Sequence, residues 1–243
     1  MKKLLYILIL AALPFSKSIA QSAISDQLLQ NCKKELDDIA TKKVDIHDIA
    51  FNTDGHWLIL YGDIGYSYSF IPSPLENMLT KLNSEGTNIN KSVIMSDSSW
   101  ILVYGDKQYT SQNINPDIST DLTSAANHKK NIKCLAISQG RRLTVYGTNG
   151  FIAKGIPPKM AEKLDQVNKK KWPVREAAFY QYQNQEGWVL LYGKRGIAFQ
   201  NLPDDITAQL QKFVKQGKNI NLVRFYGNKW IIIYDGYKSI TNI

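Results

Sequence analysis

The sequence predicts an α+β repeat protein of five βββα-type units, each about 43 residues long. Three observations carry this. Tyr-Gly recurs at Tyr61-Gly62, Tyr104-Gly105, Tyr146-Gly147 and Tyr192-Gly193, with an altered fifth copy at Tyr234-Asp235-Gly236. The tyrosines are 43, 42, 46 and 42 residues apart. A Trp precedes the Tyr by four residues in four copies (Trp57, Trp100, Trp188, Trp230), and Arg142 replaces it in the third. A Pro follows the Tyr by about eleven residues, at Pro72, Pro116, Pro157 and Pro203. The units divide at approximately 25–65, 66–108, 109–150, 151–196 and 197–243, within one domain over 21–243.

The elements follow in order. A leading helix from about Ser25 to Thr41 carries Leu28, Leu29, Cys32, Leu36 and Ile39 at helical spacing. Each unit then reads strand a, strand b, strand c, helix. Strand a is expected at Ile46 to Phe51, Ile89 to Met95, Ile132 to Ile137, Val174 to Phe179 and Ile220 to Phe225. Short turns such as Asp54-Gly55 and Tyr226-Gly227-Asn228 join a to b, which is hairpin chemistry. Strand b is the clearest: Trp57 to Tyr61, Trp100 to Tyr104, Trp188 to Tyr192 and Trp230 to Tyr234 are apolar on both faces, so b is buried on both sides. Tyr-Gly-x-x-Gly is the b–c turn, with Gly62, Gly65, Gly147, Gly150, Gly193 and Gly196 expected at positive φ. Strand c ends at Ile71-Pro72, Ile156-Pro157 and Leu202-Pro203, where the helix starts, since Pro suits a first helical turn. Ser73-Pro74-Leu75-Glu76 has the pattern of a capping box. Apolar residues then recur at helical spacing, as in Leu75, Met78, Leu79 and Leu82, or Ile206, Leu210 and Phe213.

An open solenoid needs distinct polar caps at its ends, yet the end units here match the middle ones. The leading helix completes five helices for five three-stranded sheets. The expectation is therefore closure into a five-bladed propeller-like ring, with an open solenoid as the alternative. On Trp-x-x-x-Tyr-Gly and the Ile-Pro helix start, over residues 25–243, the chain resembles propeller-type repeat proteins, whose blades are small antiparallel sheets. The resemblance is architectural. It differs in carrying a helix in each unit, and it admits a lectin by analogy with propellers of this size.

Residues 1–20 have the form of a secretory signal: Lys2-Lys3, an apolar run from Leu4 to Leu13, and Ser18-Ile19-Ala20 before cleavage near Ala20–Gln21. The expected location is secreted or periplasmic, with no transmembrane segment after cleavage. The formal charge is +9, and loss of Lys2, Lys3 and Lys17 leaves +6, which favours acidic partners. Export permits a disulfide, but Cys32 and Cys134 fall in non-adjacent units and are expected to be unpaired.

No catalytic constellation is present. His47, His56 and His128 share no metal-ligand spacing, and the sequence has no His-Glu-x-x-His, Cys-x-x-Cys or Gly-x-Ser-x-Gly. Asp204-Asp205 reads as negative charge at a helix N-terminus rather than an acid/base pair. No metal site, cofactor or nucleic-acid partner is expected. The tryptophans read as core packing between units. Tyr66 and Tyr68 on strand c are candidates for exposure.

Charge placement is more specific. In an a–b–c meander the helix–a loops and b–c turns share one face. That face collects Lys107, Lys129, Lys130, Lys169, Lys170, Lys171, Lys194, Arg195, Lys215 and Lys218, with Trp172 among them. Cations at helix C-termini complement the helix dipole, but Lys107, Lys194 and Arg195 lie in strand–strand turns, where no dipole accounts for them. Arg141-Arg142 breaks the third repeat and is a secondary candidate. The function expected is non-catalytic protein recognition through this basic face, the partner being an acidic protein or an anionic glycan. A glycan-binding lectin-like propeller is the alternative, and a propeller-type hydrolase a second one.

Overall fold

The computed structural model describes residues 15–95, 98–105, 107–127 and 131–243, with side chains from residue 26 onward. Helix α1 (Phe15–Lys42) leads the chain. Unit one is β1 (Ile46–Phe51), β2 (Trp57–Tyr61) and β3 (Gly65–Tyr68), followed by α2 (Ser73–Ser84). Unit two is β4 (Ile89–Ile94), β5 (Trp100–Tyr104) and β6 (Gln108–Gln112), followed by α3 (Pro116–Asn127). Unit three is β7 (Ile132–Ser138), β8 (Arg141–Tyr146) and β9 (Gly150–Lys154), followed by α4 (Pro158–Lys169). Unit four is β10 (Val174–Tyr182), β11 (Gln185–Tyr192) and β12 (Gly196–Gln200), followed by α5 (Asp204–Lys215). Unit five is β13 (Ile220–Tyr226), β14 (Lys229–Tyr234) and β15 (Lys238–Thr241). Among the described residues these are five helices and five separate three-stranded antiparallel sheets, each with its second strand in the middle. The proposed cleavage point, Ala20–Gln21, falls within α1, and residues 1–14 of the expected signal lie outside the described residues. No described helix is long and apolar enough to cross a membrane.

Helices alternate with sheets as packing wedges. Leu58 and Leu60 of β2 pack with Leu75, Leu79 and Leu82 of α2 and with Trp100 and Leu102 of β5. The alternate residues Trp57 and Ile59 turn the other way, onto Cys32, Leu36 and Ile39 of α1 and Ile231 and Ile233 of β14. The same arrangement repeats through α3, α4 and α5, giving five cores. The period-2 alternation of a strand thus buries both faces of each middle strand. First strands touch in succession, β1 with β4, β4 with β7, β7 with β10 and β10 with β13, and β13 also contacts β1.

Each b–c turn is tied to the residues just before its own first strand. Gly62 N–H donates to Asp45 O, Gly105 to Asn88 O, Gly147 to Asn131 O, Gly193 to Pro173 O and Asp235 to Asn219 O. The first Gly of the turn has positive φ, and Asp235 takes φ 50° in the fifth copy. The second Gly serves a different purpose from the one expected. Gly65, Gly150 and Gly196 are not at positive φ. A Cβ on any of them would strike the ring of the Tyr four residues earlier, which folds back over the turn. The capping box at Ser73 to Glu76 does not form either. Pro72 is the N-cap, its carbonyl accepts from Leu75 and Glu76 N–H, and no side chain caps the helix.

Candidate functional site

All five first strands carry a register shift after their first residue, at Ile46/Asp48, Ile89/Lys91, Ile132/Cys134, Val174/Glu176 and Ile220/Leu222. Such a bulge re-aims the residue that follows it. The five equivalent residues are Asp48, Lys91, Cys134, Glu176 and Leu222, and four of them meet, joined by Arg224 from two positions further along β13. Lys91 Nζ lies 2.6 Å from Glu176 Oε2 and 3.9 Å from Asp48 Oδ1. Arg224 Nη2 lies 2.5 Å from Asp48 Oδ1, and its Nη1 3.3 Å from Glu176 Oε1. Cys134 Sγ donates to Glu176 Oε1 at 3.3 Å. Backbone donors complete the set, with Ser92 N–H on Asp48 at 2.7 Å and Ala177 N–H on Glu176 at 3.0 Å.

Two carboxylates and two cations cancel, so the cluster is neutral. Burial alone would push the Glu176 carboxyl up, but Arg224 and Lys91 hold it well below the usual carboxylate range. Burial likewise acts to lower Lys91, and Glu176 and Asp48 more than reverse this. Burial beside Glu176 raises the Cys134 thiol well above its ordinary value, so the sulfur stays protonated and a poor nucleophile. A carboxylate held ionised and a thiol held neutral are the wrong states for a general acid or a nucleophile. The cluster joins four units by charge. Among the described residues no group of His, Cys, Asp and Glu is placed to hold a metal ion.

Beside the cluster is a cavity of about 120 Å³ to which all five first strands contribute. Its lining side chains are apolar apart from Ser92 and Arg224, with Phe51, Phe179 and Phe225 among them, and its wall mixes polar and apolar surface.

The residues of the sequence-predicted basic face differ in exposure. Lys169, Lys170 and Lys171, where α4 gives way to β10, are exposed, as are Lys107, Lys194, Arg195 and Lys215. Lys129 and Lys130 lie outside the described residues. Lys218 is half-buried and paired with Asp235 at 3.2 Å. Trp172 is 41% exposed. Its ring stacks on Tyr192 with centroids 5.7 Å apart and an interplanar angle of 13°. Lys170 Nζ sits 4.6 Å over the Trp172 ring and Lys163 Nζ 4.8 Å over Tyr192. Asn149, in the b–c turn of unit three, donates to Trp172 O at 3.2 Å and fixes the segment. Among the described residues no carboxylate pairs with Lys169, Lys170, Lys171, Lys194 or Arg195.

The secondary candidates all make contacts within the fold. Arg142 pairs with Asp121 and Asp117 of α3. This matches its repeat position, since Trp57 donates to Leu28 O of α1 and Trp230 to Asp205 of α5. Trp100 and Trp188 instead share an apolar core with the preceding helices α2 and α4, and their indole N–H groups are buried without a hydrogen-bond acceptor among the described residues. Arg141 is buried against Gln181 (2.9 Å), Glu186 (3.4 Å) and the Phe179 ring. Tyr66 and Tyr68 are half-buried and stacked on each other, with hydroxyls on Thr80 and Glu76 of α2. Cys32 and Cys134 are both buried free thiols.

No family model matches this chain, and no curated protein matches it.

The central charge cluster escaped the sequence reading, because its members are different residue types in different units. The available signal was alignment of the five first strands, which puts Asp48, Lys91 and Glu176 at one position, two residues after the apolar residue that starts each strand.

Proposed function

We propose that this is a non-catalytic binding protein whose five units close into a propeller-like ring and whose b–c-turn face takes an acidic protein segment. Closure is supported by α1, which packs in one core with unit one and unit five. Arg224 supports it too, donating from β13 to Ile49 O of β1 at 2.8 Å. Deleting residues 26–42 is expected to expose that core and cause aggregation. A truncated chain that melts cooperatively at the intact protein's temperature would count against a ring.

The observation that carries the binding reading is Trp172, an exposed indole held rigid among lysines that have no carboxylate partner. Unpaired, solvated cations attract an acidic chain and speed its association. A rigid aromatic at their centre supplies contact area at little entropic cost. A protein segment fits better than a glycan, because the two rings already face each other and the ammonium groups, leaving little open aromatic surface for a sugar.

The test uses a poly-glutamate peptide, followed through Trp172 fluorescence at low and high salt. Binding should be salt-dependent and weaken about tenfold or more when Lys169, Lys170 and Lys171 are all changed to Glu, with the fold intact. Equal affinity of the triple variant and the unaltered chain at low salt refutes the proposal. Tighter binding of a sulfated oligosaccharide than of poly-glutamate moves the reading to an anionic glycan.

A further inference from the structure

The cavity among the first strands opens at the end of those strands opposite to Trp172. Its lining comes from the later residues of each: Ala50 and Phe51, Ser92 to Ile94, Leu135 to Ile137, Ala177 to Phe179, and Arg224 and Phe225. Two features make it more than a packing gap.

The first is side-chain size. At the repeat position occupied by Arg224 the other units carry Ala50, Val93, Ala136 and Ala178, so three alanines leave the space open. Apolar residues at the next position, Phe51, Ile94, Ile137, Phe179 and Phe225, form a collar around it. A cavity of about 120 Å³ holds about four waters at roughly 30 Å³ each. That is the size of a small organic molecule and far below the pockets of about 300–1,000 Å³ that take drug-sized ligands.

The second is the sign of the charge on view. Asp48 and Glu176 each expose only 1% of their side chains, whereas Arg224 exposes 14%. The cluster is neutral in sum, but Arg224 is the one charged member of it among the residues that line the cavity. Arg224 gives Nε–H to Ile49 O, Nη1–H to Val223 O and Nη2–H to Asp48, with Nη1 also close to Glu176. A guanidinium has five N–H donors, so one Nη2–H has no acceptor among the described contacts. Ser92, whose hydroxyl meets Asp48 at 3.3 Å, is the other polar lining residue.

We infer that this cavity is a binding site for a short-chain monocarboxylate, its carboxylate on the free Arg224 N–H and its hydrocarbon tail within the Phe51–Phe179–Phe225 collar. A charge-assisted hydrogen bond in an apolar surround is strong and anion-selective. The tail contributes by taking the half-buried Phe51, Phe179 and Phe225 rings out of water. The site is independent of the acidic-segment reading, since it uses none of the lysines near Trp172.

Calorimetric titration of the intact chain with butanoate, 1-butanol and butylammonium tests this. Butanoate should bind, and the alcohol and the amine about tenfold or more weakly, because neither offers an anionic acceptor. Ala178→Leu fills the cavity without touching a charge and should weaken butanoate about tenfold or more. Ala136→Val is the smaller step and reads the same effect should the larger one disturb folding. Absence of butanoate binding at 10 mM ligand overturns the assignment, as do equal affinities for butanoate and butanol. Unchanged affinity in a folded cavity-filling variant overturns it too.

Discussion

Trp172 and Glu176 are four residues apart on one strand entry, yet they live under opposite rules. Lys169, Lys170 and Lys171 stand in water beside Trp172 with no carboxylate partner among the described residues, because water solvates an ammonium at no cost to the fold. Glu176, a single turn of chain away, is ringed by Lys91, Arg224, the Cys134 thiol and a backbone N–H. A buried carboxylate without such company would take up a proton. The difference teaches how to rank charges here. Exposed ones are free to serve a partner, and the buried carboxylates are committed to the cations around them.

The strongest way to break the contrast is Glu176→Gln. It leaves Lys91 and Arg224 with one buried carboxylate between them, and loss of one partner from a buried ion pair costs about 3–5 kcal/mol. Urea denaturation at pH 7 should show a loss of that order, and a change below about 1 kcal/mol would mean that water relaxes the cluster. The same variant carries a pH signature. The folded state holds the Glu176 carboxyl below its ordinary value of 4.5. Its contribution is therefore fully present above that pH and is lost as pH falls from there through the lowered folded value. The unaltered chain should lose stability over this acid range, and Glu176→Gln should show a shallower slope. Just before the same strand, Trp172→Ala removes a stacked pair from the surface, and its cost should be about 1 kcal/mol with the midpoint slope unchanged. A loss as large as that of Glu176→Gln would show Trp172 to be part of the core rather than an exposed anchor.

Much of the architecture was legible because repetition amplifies weak signals. One Trp-x-x-x-Tyr-Gly means little, but three complete copies and two altered ones at nearly equal spacing fix the middle strand, its turn and the helix that follows. The bulge and the residue after it repeat just as faithfully in backbone, but not in chemistry. Asp48, Lys91, Cys134, Glu176 and Leu222 share a position and no property, so no motif search finds them. Charge in a strand normally signals solvent, and only the neighbouring units reveal that these side chains meet each other. Arg142 is ambiguous in sequence for a related reason. Its substitution for Trp marks a site by sequence, whereas Asp117 and Asp121 on α3 make it a polar version of the same helix contact. The two glycines of the b–c turn illustrate the last limit, since positive φ and a ring folding over the backbone both select Gly and look alike in sequence.

The core that α1 shares with β14 differs from the other four in how the chain reaches it. Neighbouring units are joined by a covalent linker, and contacts between them span 40 to 45 residues, as in Arg141 to Gln181, Lys91 to His47 and Arg175 to Ile220. Arg224 reaches Asp48 and Ile49 across 176 and 175 residues. Loop-closure entropy grows by about 0.6 kcal/mol per doubling of length, so two doublings make this contact only about 1.2 kcal/mol costlier to form. Its distinction is topological. Side-chain packing and hydrogen bonds hold α1 to the fifth unit without a peptide link, which makes this boundary the natural seam of the molecule. Thermal opening or mechanical pulling on the two ends would part it before any junction that a linker spans.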